Sequence, residues 1–164
     1  MALLFWDASG LVERYFPEVG SSTVDALVLH AAPHSMASTP WGYAETYSIL
    51  LRRHNAGVLD LAAFSGSVAA LQTEVVAGPH FGLLTVTDAH VFSSIGAMRR
   101  HNLNATDAIL LTMLLDLSHR PGAPVVMLIA SDQRLLRAAQ AEGFPTLNPE
   151  TVAAADVPAI LGAL

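Results

Sequence analysis

Short apolar runs alternate along the chain with longer segments that have helical periodicity. Residues 2–6 and 124–130 are almost entirely apolar, which is typical of strands that are buried on both faces. Residues 81–87 have the β-branched content of a strand, and weaker strands are predicted at 34–38 and 144–147. Helices are predicted between them at 9–16, 21–31, 40–55, 58–76, 88–101, 104–119 and 131–142, with two short helical stretches around Pro158. Long helices between short buried strands favour an α/β protein, a three-layer α/β/α fold with a mainly parallel central sheet.

Several helix ends are marked by residues that favour them. Ser9 can cap the first helix, and Pro17 stops it. Pro40 suits the first position of the third helix, and Gly57 ends that helix. Asn102 separates two further helices. No repeat or linker interrupts the pattern, so we expect one domain over the whole chain.

The composition supports one folded domain and excludes several classes of protein. The chain has 164 residues, of which 52% are hydrophobic and 13% charged, about half the usual charged share of roughly 25%. Such a chain is not disordered, and its low charge predicts apolar surface that a partner or a second copy covers. The net charge of −6 argues against a polycation that coats nucleic acid or anionic lipid.

The absence of Cys and Lys removes whole groups of mechanisms. Without Cys there is no disulfide framework, thiolate nucleophile or zinc–thiolate site. All eight basic residues are Arg, which excludes the P-loop lysine, Schiff-base and pyridoxal-phosphate mechanisms. The first apolar run is too short for a signal peptide, and no run approaches the roughly 18 apolar residues of a membrane span. We therefore expect a cytoplasmic protein that does not enter the membrane.

Four acidic residues are associated with the edge where a parallel sheet binds its ligands, beyond the carboxyl ends of the strands. Asp7 and Asp132 follow predicted strands, and Asp107 lies in the first turn of a helix, three residues after Asn104. Glu45 lies in the middle of an apolar helix, where we expect it to be partly buried. Each Asp taken alone is more often a helix cap. Four carboxylates brought together repel one another, however, and favour a divalent cation. Ligands that are all oxygen predict Mg²⁺ or Mn²⁺.

The segments around these acids resemble the four motifs of the PIN domain, most closely those of its VapC-type toxin branch. The motifs are WDASGLV at 6–12, YAE at 43–45, ATDAILL at 105–111 and ASDQRLL at 130–136. Their order and spacing agree with the family, and the similarity covers nearly the whole chain. Many relatives carry a hydroxyl residue two positions before the last acid, where this chain has Ala130, and Ser131 is the nearest hydroxyl.

The resemblance implies a metal-dependent endoribonuclease with a single PIN-like domain over residues 1–164. The residues carried over from the motifs are the acidic quartet Asp7, Glu45, Asp107 and Asp132, with the neighbouring hydroxyl residues Ser9, Thr106 and Ser131 in support. The quartet would hold one or two Mg²⁺ or Mn²⁺ ions, which activate a water and offset charge on the scissile phosphate. Cleavage would leave a 5′-phosphate and a 3′-hydroxyl. The resemblance also implies the toxin of a type II toxin–antitoxin pair, with RNA as substrate, an antitoxin protein as partner and a homodimeric state.

Arginine is the side chain available to bind the phosphates of RNA. Candidates near motif acids or in a basic cluster are Arg14, Arg99, Arg100 and Arg134. The basic clusters at 99–101 and 52–54 each end a helix, where the helix dipole favours cations without any RNA.

Two alternatives to a PIN nuclease remain open. A PIN fold that has lost catalysis would serve as an RNA- or protein-binding module, and Ala130 is the residue that favours it. Another metal-dependent phosphohydrolase on a similar sheet is the weaker alternative. Asp7 is followed by Ala8 and Ser9 rather than by a second acid two residues on.

Overall fold

Five parallel strands form the centre of the computed structural model, which describes residues 2–164. The strands are β1 (Leu3–Trp6), β2 (Met36–Ser38), β3 (Phe81–Leu83), β4 (Val126–Ile129) and β5 (Thr146–Leu147). Their order in the sheet is β3-β2-β1-β4-β5, and every neighbouring pair is parallel. The predicted α/β class with a parallel central sheet is therefore confirmed.

Helices connect the strands and cover the sheet. The α-helices are α1 (Ala8–Leu11), α2 (Ser21–His30), α3 (Pro40–Asn55), α4 (Leu61–Leu71), α5 (Asp88–His101), α6 (Ala105–Ser118), α7 (Gln133–Ala141) and α8 (Val157–Gly162). Segments of 3-10 helix follow α1 at Val12–Arg14 and precede α8 at Ala154–Asp156, and a π-helical segment follows α4 at Gln72–Ala77. None of the helices within residues 2–164 is long and apolar enough to cross a membrane.

Alternating residues of the strands point to opposite faces of the sheet. Leu4 and Trp6 pack in a core that they share with α1, α2, α3, α4 and α8. Phe5 packs in a second core, which it shares with α5, α6 and α7. Because helices bury both faces of the sheet, the structure has three layers, and the neighbouring strands β1 and β4 are apolar throughout.

Several predicted boundaries are wrong, and two of them show how packing and capping limit an element. The strand predicted at 81–87 ends at Leu83, because β2 is a three-residue strand that ends opposite it at Ser38. The helix predicted at 58–76 begins only at Leu61, since the Asp60 side chain caps it and accepts a hydrogen bond from its first turn. The length of an edge strand thus depends on the strand it pairs with, and the first residue of a helix depends on its cap.

The order of the strands has a switch point beside β1, the central strand. The chain adds β2 and β3 on one side of β1 and then β4 and β5 on the other. β1 and β4 are neighbours, with Trp6 opposite Ile129, so the loops that follow them leave the same edge of the sheet. Ligand sites in open parallel sheets lie at such a point.

Candidate metal centre

A cleft opens at the carboxyl edge of the sheet, between the beginnings of α3 and α6. Its polar lining consists of Asp7, Thr39, Glu45 and Thr106. Apolar side chains of α6 and the exposed ring of Trp41 complete its walls. Two of the four predicted acids and one predicted supporting hydroxyl therefore lie in one cleft.

Asp7 is buried at this edge as the first residue after β1. Its backbone N donates to Ile129 O at 3.0 Å, which ties it to β4. Its Oδ2 accepts from the backbone N (2.9 Å) and the hydroxyl (2.5 Å) of Ser9. Asp7, and not Ser9 as predicted, is thus the N-cap of α1, which ends at Leu11 instead of residue 16. Burial raises the pKa of Asp7 and the charge of Asp132 adds to this, while the bonds from Ser9 oppose it.

The Ser9 hydroxyl connects the ends of β1 and β4. It donates to Asp7 and accepts from the backbone N of Ser131 (3.0 Å) and of Asp132 (3.3 Å). Gly10 allows this close approach, because a Cβ at that position would lie 3.1 Å from the backbone oxygen of β4's last residue. One hydroxyl therefore sets the position of two of the predicted acids relative to each other.

Asp132 is exposed and is the N-cap of α7. Its Oδ1 accepts from the backbone N of Arg134 (2.8 Å) and of Leu135 (2.9 Å), and α7 begins at Gln133 rather than at residue 131. Within residues 2–164, no hydrogen bond reaches its Oδ2. The capping role that the sequence suggested is therefore real, and it leaves one carboxylate oxygen available to a ligand.

Asp107 lies in the first turn of α6, beside the N-cap Asn104. Asn104 Oδ1 accepts from the Asp107 backbone N, and Asn104 Nδ2 donates to Asp107 Oδ2, both at 2.9 Å. Burial, together with the negative charges of the other three predicted acids, raises the pKa of Asp107 to about 7, while Arg134 opposes the shift. The electrostatic influence of all three acids reaches this carboxyl, so the quartet occupies one region of the molecule.

Glu45 lies in the second turn of α3, on the wall of the cleft that faces α6. The residue as a whole is exposed, so the prediction of partial burial is wrong for the residue. Its carboxylate nevertheless lines the cleft, where local burial raises the pKa of Glu45, Asp7 adds to the shift and Arg52 opposes it. α3 comes this close because it carries Gly42, where a Cβ would lie 2.6 Å from the Ser38 hydroxyl.

The quartet fits a hard divalent cation by the chemistry of its donors. All four side chains offer carboxylate oxygens, and their mutual repulsion would be relieved by positive charge. Across residues 2–164, no three carboxylate or imidazole groups lie close enough together to form a ready-made metal site. A bound ion would therefore have to draw side chains inward. Glu45 and Asp107 are the candidates for this movement, because Asp7 and Asp132 are held as helix caps.

The four arginines that were predicted to bind RNA fall into two groups, those with an acidic partner and those without one. Arg14 forms ion pairs with two acids on other elements, at 2.6 and 2.9 Å, and Arg100 pairs with Glu142. These two are engaged in structural contacts. Arg99 and Arg134 form no ion pair with any acid in the described part of the chain. Of these two, Arg134 is the one whose charge acts on the quartet.

Glu13 is a buried acid that sequence reasoning missed. It is 1% exposed, and its Oε1 accepts a short hydrogen bond from the Ser131 hydroxyl. Its Oε2 has no hydrogen-bond partner of normal geometry within residues 2–164 and lies against Gly20, where a Cβ would be only 1.7 Å away. Burial raises the pKa of Glu13, and two nearby glutamates add to the shift. Glu13 thus holds the residue that precedes Asp132. The signal in the sequence is an acid, followed directly by Arg14, between the apolar residues at 11–12 and 15–16.

No protein-family model and no curated protein matches this chain. Among solved structures, the chain is similar to the crystal structure of PAE2754 from Pyrobaculum aerophilum, with a TM-score of 0.65 and 16% sequence identity over 100% of both chains. At this level of identity the similarity establishes the shared fold alone.

Proposed function

We propose that this protein is a Mg²⁺- or Mn²⁺-dependent endoribonuclease of the PIN type and the toxin of a type II toxin–antitoxin pair. The observation that carries the proposal is the placement of four carboxylates at one edge of the sheet. Asp7 and Glu45 line one cleft, Ser9 connects Asp7 to Asp132, and the charges of all three act on Asp107. Helix capping does not require such convergence, and the repulsion destabilises the fold unless a cation offsets it. The order and spacing of the four PIN-like motifs support the same function.

The four acids would hold the metal, and the RNA would lie across the cleft. The bound ion would lower the pKa of a water and offset charge on the scissile phosphate. Asp7 is held from two sides, because Ser9 bonds to its Oδ2 and the backbone of β4 bonds to its amide. Asp107, with a pKa of about 7, would release a proton on binding metal, so metal affinity would rise with pH through neutrality.

The surroundings of the cleft suit a single strand of RNA. Trp41 lines the cleft and is 44% exposed, so its ring is available to stack on an unpaired base. The charges of Arg52 and Arg134 act on the acids and would also attract the phosphates on either side of the cleaved bond. These groups would offset the repulsion between an acidic protein and a polyanion.

A protein partner is proposed on the surface of α5. Phe92 and Ile95, three residues apart on this helix, are 74% and 51% exposed. Neighbouring apolar side chains on one helix face are typical of a surface that another protein covers. An antitoxin and a second copy of the chain are the partners that the PIN resemblance implies. The proposal places the protein in the cytoplasm, together with its RNA substrate.

Calorimetric titration with Mn²⁺ tests the metal site on three forms of the protein. Wild type should bind Mn²⁺ saturably, and Asp107→Asn should lose that binding. Asp116→Asn is the matched control, because Asp116 lies on the same helix but is exposed and paired with Arg120. It should bind like wild type. Single-stranded RNA should then be cut by wild type and the control and not by Asp107→Asn. Folded wild type that neither binds Mn²⁺ nor cuts RNA would contradict the proposal.

An inactive RNA- or protein-binding module is the second candidate, and two observations favour it. The described acids form no ready-made metal site, and Asp7 and Asp132 already serve as helix caps. A module of this kind would bind RNA in EDTA, with equal affinity in wild type and Asp107→Asn. RNA binding that needs the metal would favour the nuclease.

A further inference from the structure

Half of the arginines have no acidic partner within residues 2–164. Four of the eight form ion pairs with carboxylates. The four that form none are Arg52, Arg99, Arg134 and Arg137. The chain has a net charge of −6 and therefore more acids than arginines. A shortage of acids does not explain why these four arginines are unpaired. Guanidinium groups left unpaired are candidates for binding an anion from outside the molecule.

Two of these arginines share a cavity of about 230 Å³ with the turn between α5 and α6. Arg134 and Arg137 lie three residues apart on α7 and therefore point to the same side of the helix. The cavity is also lined by His101 and by Asn102, which forms the turn with a φ of 51°. His101 Nε2 is hydrogen-bonded to Glu142 at 2.7 Å, and the Arg100 guanidinium binds the same carboxylate, so that acid is already neutralised.

The two arginines lie on the helix that Asp132 of the acidic quartet caps. Arg134 comes two residues after Asp132, and its charge acts on Asp107, so its guanidinium is near the acids. Arg137 lies almost one turn further along α7, about 4.5 Å along the helix axis. An anionic chain that reached the acids would meet Arg134 first and Arg137 next.

We propose that Arg134, Arg137 and Asn102 form a subsite for a backbone phosphate of single-stranded RNA, next to the bond that the acids cut. This inference rests on the proposed function, which identifies RNA as the polyanion. Guanidinium groups bind phosphate through paired N–H bonds, and the Asn102 amide adds a further donor. Contacts with the backbone carry no sequence information. The subsite therefore orients any RNA strand across the cleft instead of selecting one.

Fluorescence anisotropy of a labelled oligouridylate tests the subsite on the full chain, with Ca²⁺ in place of Mg²⁺ and across a range of salt. Arg137→Gln should weaken binding about fivefold and should reduce the slope of log K against log salt by about 0.7. Arg120→Gln removes the same charge from an arginine that is paired with Asp116, and it should change neither quantity. With Mn²⁺ and cleavable RNA, Arg137→Gln should raise KM and leave kcat unchanged.

Each outcome bears on the subsite separately from the nuclease. Equal affinity and equal salt dependence in Arg137→Gln and Arg120→Gln would overturn the subsite, and so would a wild type that binds no RNA. RNA binding that depends on Arg137, in a wild type that cuts no RNA with Mn²⁺, would support the subsite and overturn the nuclease. Inorganic phosphate at the same phosphate concentration should not displace the oligouridylate. Displacement would overturn the RNA subsite in favour of a site for a free anion.

Discussion

Replacing Asp107 by asparagine removes one charge from the acidic quartet and preserves the local hydrogen bonds. The asparagine side-chain oxygen can accept from Asn104 Nδ2, as the carboxylate does in the wild type. We expect the metal-free variant to be more stable than the metal-free wild type at about pH 8. The physical reason is that the wild type keeps a partly buried charge that three other acids repel, and the variant has no charge at this position.

The size of this effect follows from the pKa of Asp107, which is raised from 3.8 to about 7. At about 1.4 kcal/mol per pKa unit, the whole shift corresponds to about 4 kcal/mol. Because the carboxyl is only half-buried, solvent screening reduces this figure, and we expect a gain of about 1–2 kcal/mol at about pH 8. Between about pH 4 and pH 7 the folded wild type holds a proton that the unfolded chain releases, so its stability falls as the pH rises. The variant lacks this fall, and its advantage disappears at about pH 4.

Urea unfolding in EDTA, at several pH values between about 4 and 8, measures this difference in the free energy of unfolding. Asp116→Asn is again the control, because the hydrogen bond from Arg120 lowers the pKa of Asp116. Its replacement should not stabilise the protein at any pH in this range. Excess Mn²⁺ should reverse the order by stabilising wild type more than Asp107→Asn. A variant that is less stable than wild type at about pH 8, or a gain that does not depend on pH, would refute the reasoning.

Three other predictions concern the residues that hold the carboxyl edge together. Ser9→Ala should lower the free energy of unfolding by about 1–3 kcal/mol, because two backbone amides lose their acceptor; urea unfolding measures this, with the exposed Ser22→Ala as control. Burial raises the pKa of Glu13 above 4.5, so wild type should lose stability as the pH rises above that value. Glu13→Gln should lack this loss, and parallel pH profiles of the two proteins would contradict the assignment. Gly20→Ala should cost about 1–3 kcal/mol, since the new Cβ would lie 1.7 Å from the Glu13 carboxylate. Gly66→Ala in α4, where a Cβ meets no atom within 4 Å, is the control and should instead raise the free energy of unfolding by up to about 1 kcal/mol.

The parts of the fold that the sequence predicts are those determined by local pattern and by parallel topology. The apolar runs before Asp7 and Asp132 indicate strands buried on both faces, and both runs form central strands. Parallel strands end at one edge of a sheet, so the sequence alone places these two acids together. Asn104 marks the beginning of α6, which positions Asp107 in its first turn. For these residues, short-range signals suffice.

The parts that the sequence does not predict depend on contacts between distant segments. Glu13 is buried because Ser131, 118 residues away in sequence, donates to it and because Gly20 has no side chain to displace it. Arg14 lies near a motif acid in sequence, but its guanidinium pairs with Glu74, 60 residues further on. Neither partner is implied by the local pattern. Only packing decides which of two nearby charges becomes a structural pair and which remains free to bind a ligand.

The capping and metal-binding interpretations of the acids have one common structural origin. A parallel strand that is followed within a few residues by a helix places the N-cap of that helix at the edge of the sheet where ligands bind. Asp7 and Asp132 occupy this position, and each uses one oxygen for its cap and keeps the other. Asparagine caps a helix about as well as aspartate, so capping alone does not require a charge at either position. Serine or threonine at either position would also cap the helix, and it would remove a charge that raises the pKa of Asp107. The charge is therefore the property that a structural role leaves unexplained and that a bound cation would explain.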